Sequence, residues 1–130
     1  MKNKILVVED NKHQRALLET ELEHAGYDVI CVAGGRDAVQ TVASESIDLV
    51  VLDIGMPDMD GLEAMEKILD IHPRLPVVIN TAYPSFKDEF QSWSADAYVV
   101  KSGDPTELLG EIATALERSR GRETGQQEGT

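Results

Sequence analysis

Side chains able to do chemistry follow four of the short apolar runs in this sequence. They are Glu9 and Asp10 after the first run, Asp53 after the third, Thr81 after the fourth and Lys101 after the fifth. Three carboxylates brought together repel one another unless a cation joins them. Hard oxygen ligands without histidine or thiolate favour magnesium, with manganese as an alternative. The pattern therefore predicts a divalent metal site.

The same residues can support phosphoryl chemistry. A carboxylate is a competent nucleophile toward phosphorus and gives an aspartyl phosphate. Such a transfer needs charge neutralisation and in-line placement more than acid–base catalysis. A bound cation and the Lys101 ammonium would supply the positive charge, and the Thr81 hydroxyl can donate to a phosphate oxygen.

Five apolar runs, rich in β-branched residues, supply the strands that would position these groups. They cover residues 5–8, 29–32, 49–52, 77–79 and 98–100, and helical patterns separate them. Runs without polar alternation are typical of parallel strands buried on both faces. We predict an α/β fold: a doubly wound, five-stranded parallel sheet of order 2-1-3-4-5 with helices on both faces, as in flavodoxin-like proteins. This order keeps the crossovers right-handed and gathers four strand ends into one crevice.

Helix boundaries have their own signals. Asn11 is a predicted N-cap of the first helix, and Gly26 stands where a C-cap glycine belongs. Asp104 is the predicted N-cap of the last helix, with Pro105 at its first position. The segment 83–94 predicts only a short fourth helix, whose aromatic residues could be core or partner surface.

The chain of 130 residues suits one domain, and its 24 acidic and 12 basic residues give a net charge of −12. That surface repels phosphate backbones and anionic lipid, so we expect no direct nucleic-acid or membrane binding. One cysteine excludes an internal disulfide, and the first apolar run is too short for a signal peptide or membrane span. We expect a soluble, cytoplasmic domain over 1–118, followed by a disordered tail or truncated linker over 119–130.

These features resemble the receiver domain of bacterial two-component response regulators over roughly residues 3–117. The resemblance is carried by Glu9-Asp10 after strand one, the stretch 53–61 after strand three, Thr81-Ala82 after strand four and 98–101 on strand five. Each motif alone is weak. All four in order, each at a strand terminus, form a strong signal.

The resemblance implies a role for each site residue. Asp53 would be the phosphoacceptor. Asp10 would ligate Mg²⁺ directly, Glu9 directly or through water, and the Gly55 carbonyl would add a further ligand. Lys101 would pair with the phosphoryl group or with Asp53.

The resemblance also implies a switch and its partners. Thr81 would be the switch hydroxyl, and Tyr98 the aromatic that moves between exposed and buried positions. The phosphoryl group would come from a sensor histidine kinase or phosphotransfer protein. The surface of the fourth helix, fifth strand and last helix would report the switch to an unknown output protein or domain, and could form a homodimer. Such a domain catalyses only its own phosphorylation and dephosphorylation.

Two departures from the family pattern keep alternatives open. Ser102 replaces the proline that usually follows the lysine, which predicts either a trans bond with a reshaped loop or a strained cis bond. The stretch from Thr81 to Tyr98 is about two residues shorter than expected. A degenerate receiver that binds partners without phosphorylation is therefore one alternative.

Two further alternatives are weaker. A hydrolase of the haloacid-dehalogenase type needs a second aspartate where Gly55 stands. A flavodoxin-like cofactor binder needs a glycine loop after strand one, which this sequence lacks.

Overall fold

Strands and helices alternate along the chain in a computed structural model that describes residues 2–55, 61–82 and 94–128. The strands are β1 (Lys4–Val8), β2 (Asp28–Val32), β3 (Leu49–Leu52), β4 (Val77–Thr81) and β5 (Ala97–Val100). The helices in these ranges are α1 (Lys12–His24), α2 (Gly35–Ser44), α3 (Gly61–Ile71) and α4 (Thr106–Glu128). The predicted alternation of strand and helix is confirmed from β1 to β4 and from β5 to α4, and the helix predicted between β4 and β5 lies, apart from Ser94, outside the described residues.

The five strands form one parallel sheet of order β2-β1-β3-β4-β5, as predicted. Val8, the last residue of β1, lies opposite Val32 in β2 and Leu52 in β3. Thr81, the last residue of β4, lies opposite Val100 in β5. The strands thus end at a common edge, and the residues that follow them come together there.

Side chains along each strand alternate between two hydrophobic clusters. Leu6 and Val8 of β1 belong to one cluster with residues of α2 and α3. Ile5 and Val7 belong to the other, with residues of α1 and α4. All four side chains are at most 1% exposed. Helices therefore cover both faces of the sheet, which explains why the apolar runs do not alternate with polar residues.

The predicted helix boundaries at both ends of α1 are confirmed. The Asn11 side chain accepts a hydrogen bond from the Gln14 amide at 3.0 Å. Gly26 has φ = 100°, a left-handed conformation that ends the helix at little steric cost. At the start of α4, Asp104 Oδ1 accepts from the Thr106 amide at 2.9 Å. Apart from Ser94, the predicted fourth helix lies outside the described residues.

The structure differs from the prediction at the end of the chain. The sequence predicts a disordered tail or linker from residue 119, but α4 continues as a helix to Glu128. The stretch holds no proline, and its Arg, Glu and Gln residues are good helix formers. Extending an existing helix adds one hydrogen bond per residue without a new nucleus. The domain boundary at residue 118 stays a prediction.

Candidate functional site: an acidic cluster at the carboxyl edge of the sheet

Three carboxylates meet where β1 and β3 end. Glu9 and Asp10 directly follow β1, and Asp53 directly follows β3. One carboxylate oxygen from each lies within 4.8 Å of the others. Glu9 is 1% exposed and Asp53 is 7% exposed, whereas Asp10 lies at the surface. The cluster therefore has two buried members and one that solvent reaches.

The Lys101 ammonium bridges the two buried carboxylates. Its Nζ atom lies 2.8 Å from Asp53 Oδ2 and 2.5 Å from Glu9 Oε1. The Lys101 backbone amide donates to the Thr81 carbonyl at 2.7 Å, which fixes the start of the side chain beside β4. Burial alone would lower the pKa of Lys101. Hydrogen bonds and charge from Asp53 and Glu9 outweigh that effect and raise it above the ordinary value.

Backbone amides orient the other carboxylate oxygens. Glu9 Oε2 accepts from the Asn11 amide at 3.0 Å, and Asp53 Oδ1 accepts from the Gly55 amide at 3.0 Å. Each carboxylate is thus held at one oxygen by its own loop and at the other by Lys101. Amides held in this way orient a carboxylate without adding a net charge.

The start of α3 approaches the Asp53 loop very closely. The Gly61 amide donates to the Ile54 carbonyl at 3.3 Å. A Cβ at position 61 would overlap Ile54 Cα and lie 2.8 Å from the Asp53 carbonyl oxygen. Only glycine fits here without moving the loop that carries Asp53. The sequence motif includes Gly61, but its pattern does not reveal this steric reason.

The remaining predicted site residues lie around the cluster. Thr81, at the end of β4, is fully buried, and Tyr98, three residues before Lys101, is 4% exposed. The Gly55 residue is exposed. Tyr98 packs in the cluster shared with α2 and α3. Of the two positions predicted for the Tyr98 side chain, exposed and buried, this structure has the buried one.

The loop after Lys101 resolves the question raised by Ser102. The bond between them is trans, since the described residues contain no cis peptide. Ser102 Oγ accepts from the Asp104 amide at 3.3 Å and donates to the Asp104 carbonyl at 3.1 Å. The serine hydroxyl thus ties this loop to the start of α4, as the predicted trans alternative requires.

The donor set fits Mg²⁺. All three side chains offer hard oxygen atoms at a strand edge, where Mg²⁺ can keep several waters. Glu9 Oε1 is buried against the Lys101 ammonium, so one positive charge already faces the cluster. One ammonium does not balance three carboxylates, so a divalent cation would be favourable beside them.

Comparison with known proteins identifies the family. Residues 5–113 match the response regulator receiver domain. This chain belongs to that family. The receiver domain contains the acidic cluster and Lys101 within its matched range.

Solved structures of this family share the receiver fold. The response regulator TrrA of Thermotoga maritima, in complex with Mg²⁺-BeF, is 37% identical, with a TM-score of 0.83. The alignment covers 88% of this chain and 99% of TrrA. TrrA in complex with the histidine kinase ThkA is 38% identical, with a TM-score of 0.81, over 89% of this chain and 99% of that one.

Sequence relatives extend beyond this receiver domain. The alkaline phosphatase synthesis transcriptional regulatory protein PhoP of Bacillus subtilis is 34% identical over 92% of this chain and 50% of PhoP. ArlR of Staphylococcus saprophyticus is 36% identical over 88% of this chain and 53% of ArlR. The chain thus spans about half the length of these relatives.

Two further contacts at the site were not predicted from the sequence. One is the Asn11 amide on Glu9, and the other is the Arg15 side chain on the carbonyls of Glu9 and Asp10. A signal for Arg15 exists: it lies one turn before Leu18 and two before Leu22 on the inward face of α1. A half-buried arginine beside this apolar stripe can pack its stem there and extend its guanidinium to polar atoms at the edge of the helix.

The described part of the chain contains no helix that is both long and apolar enough to cross a membrane.

Proposed function

We propose that this receiver domain is a phosphorylation-dependent signalling switch. Asp53 accepts a phosphoryl group from a partner histidine kinase or phosphotransfer protein in a Mg²⁺-dependent reaction. The observation that carries the proposal is the placement of Asp53. Its carboxylate is buried, shares a cluster with Glu9 and Asp10, and lies 2.8 Å from the Lys101 ammonium.

The chemical step follows from this placement. An Asp53 carboxylate oxygen attacks the phosphorus of a phosphohistidine. The new O–P bond forms as the P–N bond breaks, and the imidazole leaves with that electron pair and takes a proton from water. Lys101 then turns from Asp53 toward the phosphoryl oxygens. Asp10, Glu9, Asp53 and the Gly55 carbonyl would hold the Mg²⁺ ion. That ion would neutralise charge on the phosphoryl oxygens.

The proposed switch uses Thr81 and Tyr98. The Thr81 hydroxyl donates to a phosphoryl oxygen once one is present, and Tyr98 responds by shifting between buried and exposed positions. Phosphorylation then favours one arrangement of the surface around β5 and α4. The helix predicted over 83–94, which completes that surface, lies outside the described residues apart from Ser94. Signalling to an output protein or domain, and a homodimer through this face, stay predictions.

A groove beside the cluster supports contact with a phosphodonor protein. It has a volume of about 390 Å³ and runs between α1 and the start of α4, with Lys101 in its lining. Leu17 lies along it and is 58% exposed. Apolar side chains from both helices line the groove, among them Leu17, Leu18 and Leu108, and such a surface suits a protein partner better than a small substrate. TrrA, a structural neighbour, has been solved with its kinase ThkA.

The same geometry favours self-phosphorylation over the alternatives. A hydrolase acting on external substrates needs a second aspartate at position 55, where this chain has an exposed glycine. A degenerate receiver does not need the full set of Glu9, Asp10, Asp53 and Lys101, which this chain keeps within contact distance. We therefore place catalysis only in the domain's own phosphorylation and dephosphorylation.

Intact-protein mass spectrometry tests the proposal. The protein is incubated with a small phosphodonor and either Mg²⁺ or EDTA, alongside Asp53→Asn. We expect one labile phosphoryl adduct with Mg²⁺, less with EDTA and none in the variant. Phosphate release from many sugar phosphates would favour the hydrolase. Absence of an adduct with every donor tried would favour the degenerate receiver.

A further inference from the structure

The Arg15 side chain contacts the backbone of both acidic residues after β1. Its Nη1 atom donates to the Glu9 carbonyl at 2.9 Å and to the Asp10 carbonyl at 3.4 Å. Arg15 lies on the first turn of α1, and its backbone amide donates to the Asn11 carbonyl at 2.9 Å. One side chain thus closes the turn that joins β1 to α1.

The carbonyls it contacts lie just beyond the sheet. At this edge, the Val8 carbonyl accepts from the Asp53 amide and the Val32 carbonyl accepts from the Glu9 amide. The next two carbonyls of the chain, those of Glu9 and Asp10, meet the guanidinium. One guanidinium nitrogen donates to both carbonyls, and the planar, charged group holds them in a defined direction. Arg15 holds the carbonyls of the same two residues that carry the carboxylates. The contact therefore orients the side chains of Glu9 and Asp10 as well.

We propose that Arg15 is a positioning residue for the metal site. Its guanidinium fixes the backbone of Glu9 and Asp10 so that their carboxylates stay within reach of Asp53. This inference rests on the proposed Mg²⁺ site and adds a residue that contacts neither the metal nor the phosphoryl group. It acts through the carbonyls alone.

The charge of Arg15 and its positioning role have opposite effects on Mg²⁺ affinity, which makes the inference testable. A positive charge near the site repels Mg²⁺, so removing it would tighten binding if charge were its main effect. Loss of positioning would weaken binding instead. Groups that orient metal ligands typically contribute about 10- to 100-fold to metal affinity. The sign of the change therefore separates the two effects.

Titration calorimetry with Mg²⁺ measures that sign on the whole chain. Arg15→Met keeps an apolar stem and removes both hydrogen bonds and the charge. Lys12→Met, on the exposed side of the same turn, is the matched control that removes only a charge. We expect roughly 10-fold or weaker binding for Arg15→Met. We expect Lys12→Met to stay within about threefold of the wild type, toward tighter binding.

Two more measurements keep the test decisive. Arg15→Lys retains the charge but replaces the planar guanidinium by an ammonium on a shorter side chain, and we expect it to bind Mg²⁺ at least about threefold more weakly than the wild type. Amide exchange in EDTA should be faster at Asn11 in both Arg15 variants, independent of metal. Wild-type or tighter affinity in Arg15→Met, or in Arg15→Lys if the former does not fold, would overturn the inference. A wild-type protein that binds no Mg²⁺ would instead overturn the proposed function beneath it.

Discussion

Replacing Lys101 by Met should destabilise the metal-free domain strongly. The ammonium lies between Glu9 and Asp53, which are buried, and its own side chain is 18% exposed. Removing it leaves two carboxylates facing each other without a counter-charge. Breaking a buried ion pair in this way costs about 3–5 kcal/mol. Because Lys101 keeps some exposure and water can enter, we expect a loss at or just below the lower limit of that range, about 2.5–3 kcal/mol.

Urea unfolding in EDTA measures this loss. With an m-value of about 2 kcal/mol/M, typical of a small domain, the midpoint should fall by roughly 1.2–1.5 M. Saturating Mg²⁺ should recover most of the difference, because the ion supplies the missing positive charge. Mg²⁺ should also bind Lys101→Met more tightly than the wild type, since the ammonium no longer competes for Glu9 and Asp53.

The pH dependence has a defined sign. The pKa of Lys101 is raised above its usual 10.5, so its contribution is fully present below that pH. It is lost as the pH rises through the raised pKa. The gap between wild type and Lys101→Met should therefore be constant from pH 7 to about 9 and close at higher pH.

An exposed ion pair provides the matched control. Lys67 lies 3.6 Å from Glu63 on α3, and both side chains are about half exposed. Lys67→Met should change stability by less than about 0.5 kcal/mol, with no dependence on Mg²⁺. If Lys101→Met unfolds at the same urea concentration as Lys67→Met in EDTA, the ammonium does not neutralise a buried acidic pair, and the reasoning fails.

Three further predictions concern the surroundings of the site. Gly61→Ala should lose about 1–3 kcal/mol in urea unfolding, because its Cβ would overlap the Ile54 backbone. Asn11→Ala should lose about 1 kcal/mol in the same assay, because it removes the cap of α1. Cys31 should react slowly with a thiol reagent at pH 8, because burial and the neighbouring Glu19 raise the pKa of its thiol to about 11.

Each of these three predictions has a matched control in the same protein. Gly110→Ala lies on α4, where an added Cβ meets nothing, and should stabilise by up to about 1 kcal/mol. Asn11→Ser should keep the cap and nearly wild-type stability. Cys31 should react rapidly after unfolding in urea. Equal losses of stability in Gly110→Ala and Gly61→Ala would contradict the steric explanation. A loss in Asn11→Ser as large as in Asn11→Ala would contradict the capping explanation. Equal reaction rates of Cys31 in the folded and unfolded protein would contradict the explanation by burial.

The sheet could be predicted because its signal is local and repeated. Continuous β-branched runs indicate strands buried on both faces, and chemically active residues at the ends of four runs indicate a shared edge. That combination predicts the order β2-β1-β3-β4-β5 with β2 at one edge, and the pairing of the strands confirms it. Helix caps such as Asn11 depend on one or two neighbouring residues, so they too can be predicted from the sequence.

Contacts that depend on three-dimensional approach were not predictable from the sequence. The overlap at Gly61 arises from how closely α3 lies to the Asp53 loop. The Arg15 contacts depend on the direction of the side chain across a turn. The extent of α4 to Glu128 could not be predicted from composition, because polar stretches are typical of tails and linkers as well, while helix propagation depends on continuity with the packed turns that precede.

Localising the phosphoryl group tests the central claim most directly. The phosphorylated protein is reduced with borohydride, which converts an acyl phosphate of aspartate to homoserine, and is then digested and sequenced by mass spectrometry. The proposed chemistry predicts homoserine at position 53, dependent on Mg²⁺ and on the phosphodonor. Homoserine at position 10 instead, or an adduct that survives reduction unchanged, would contradict the assignment of Asp53 as the phosphoacceptor.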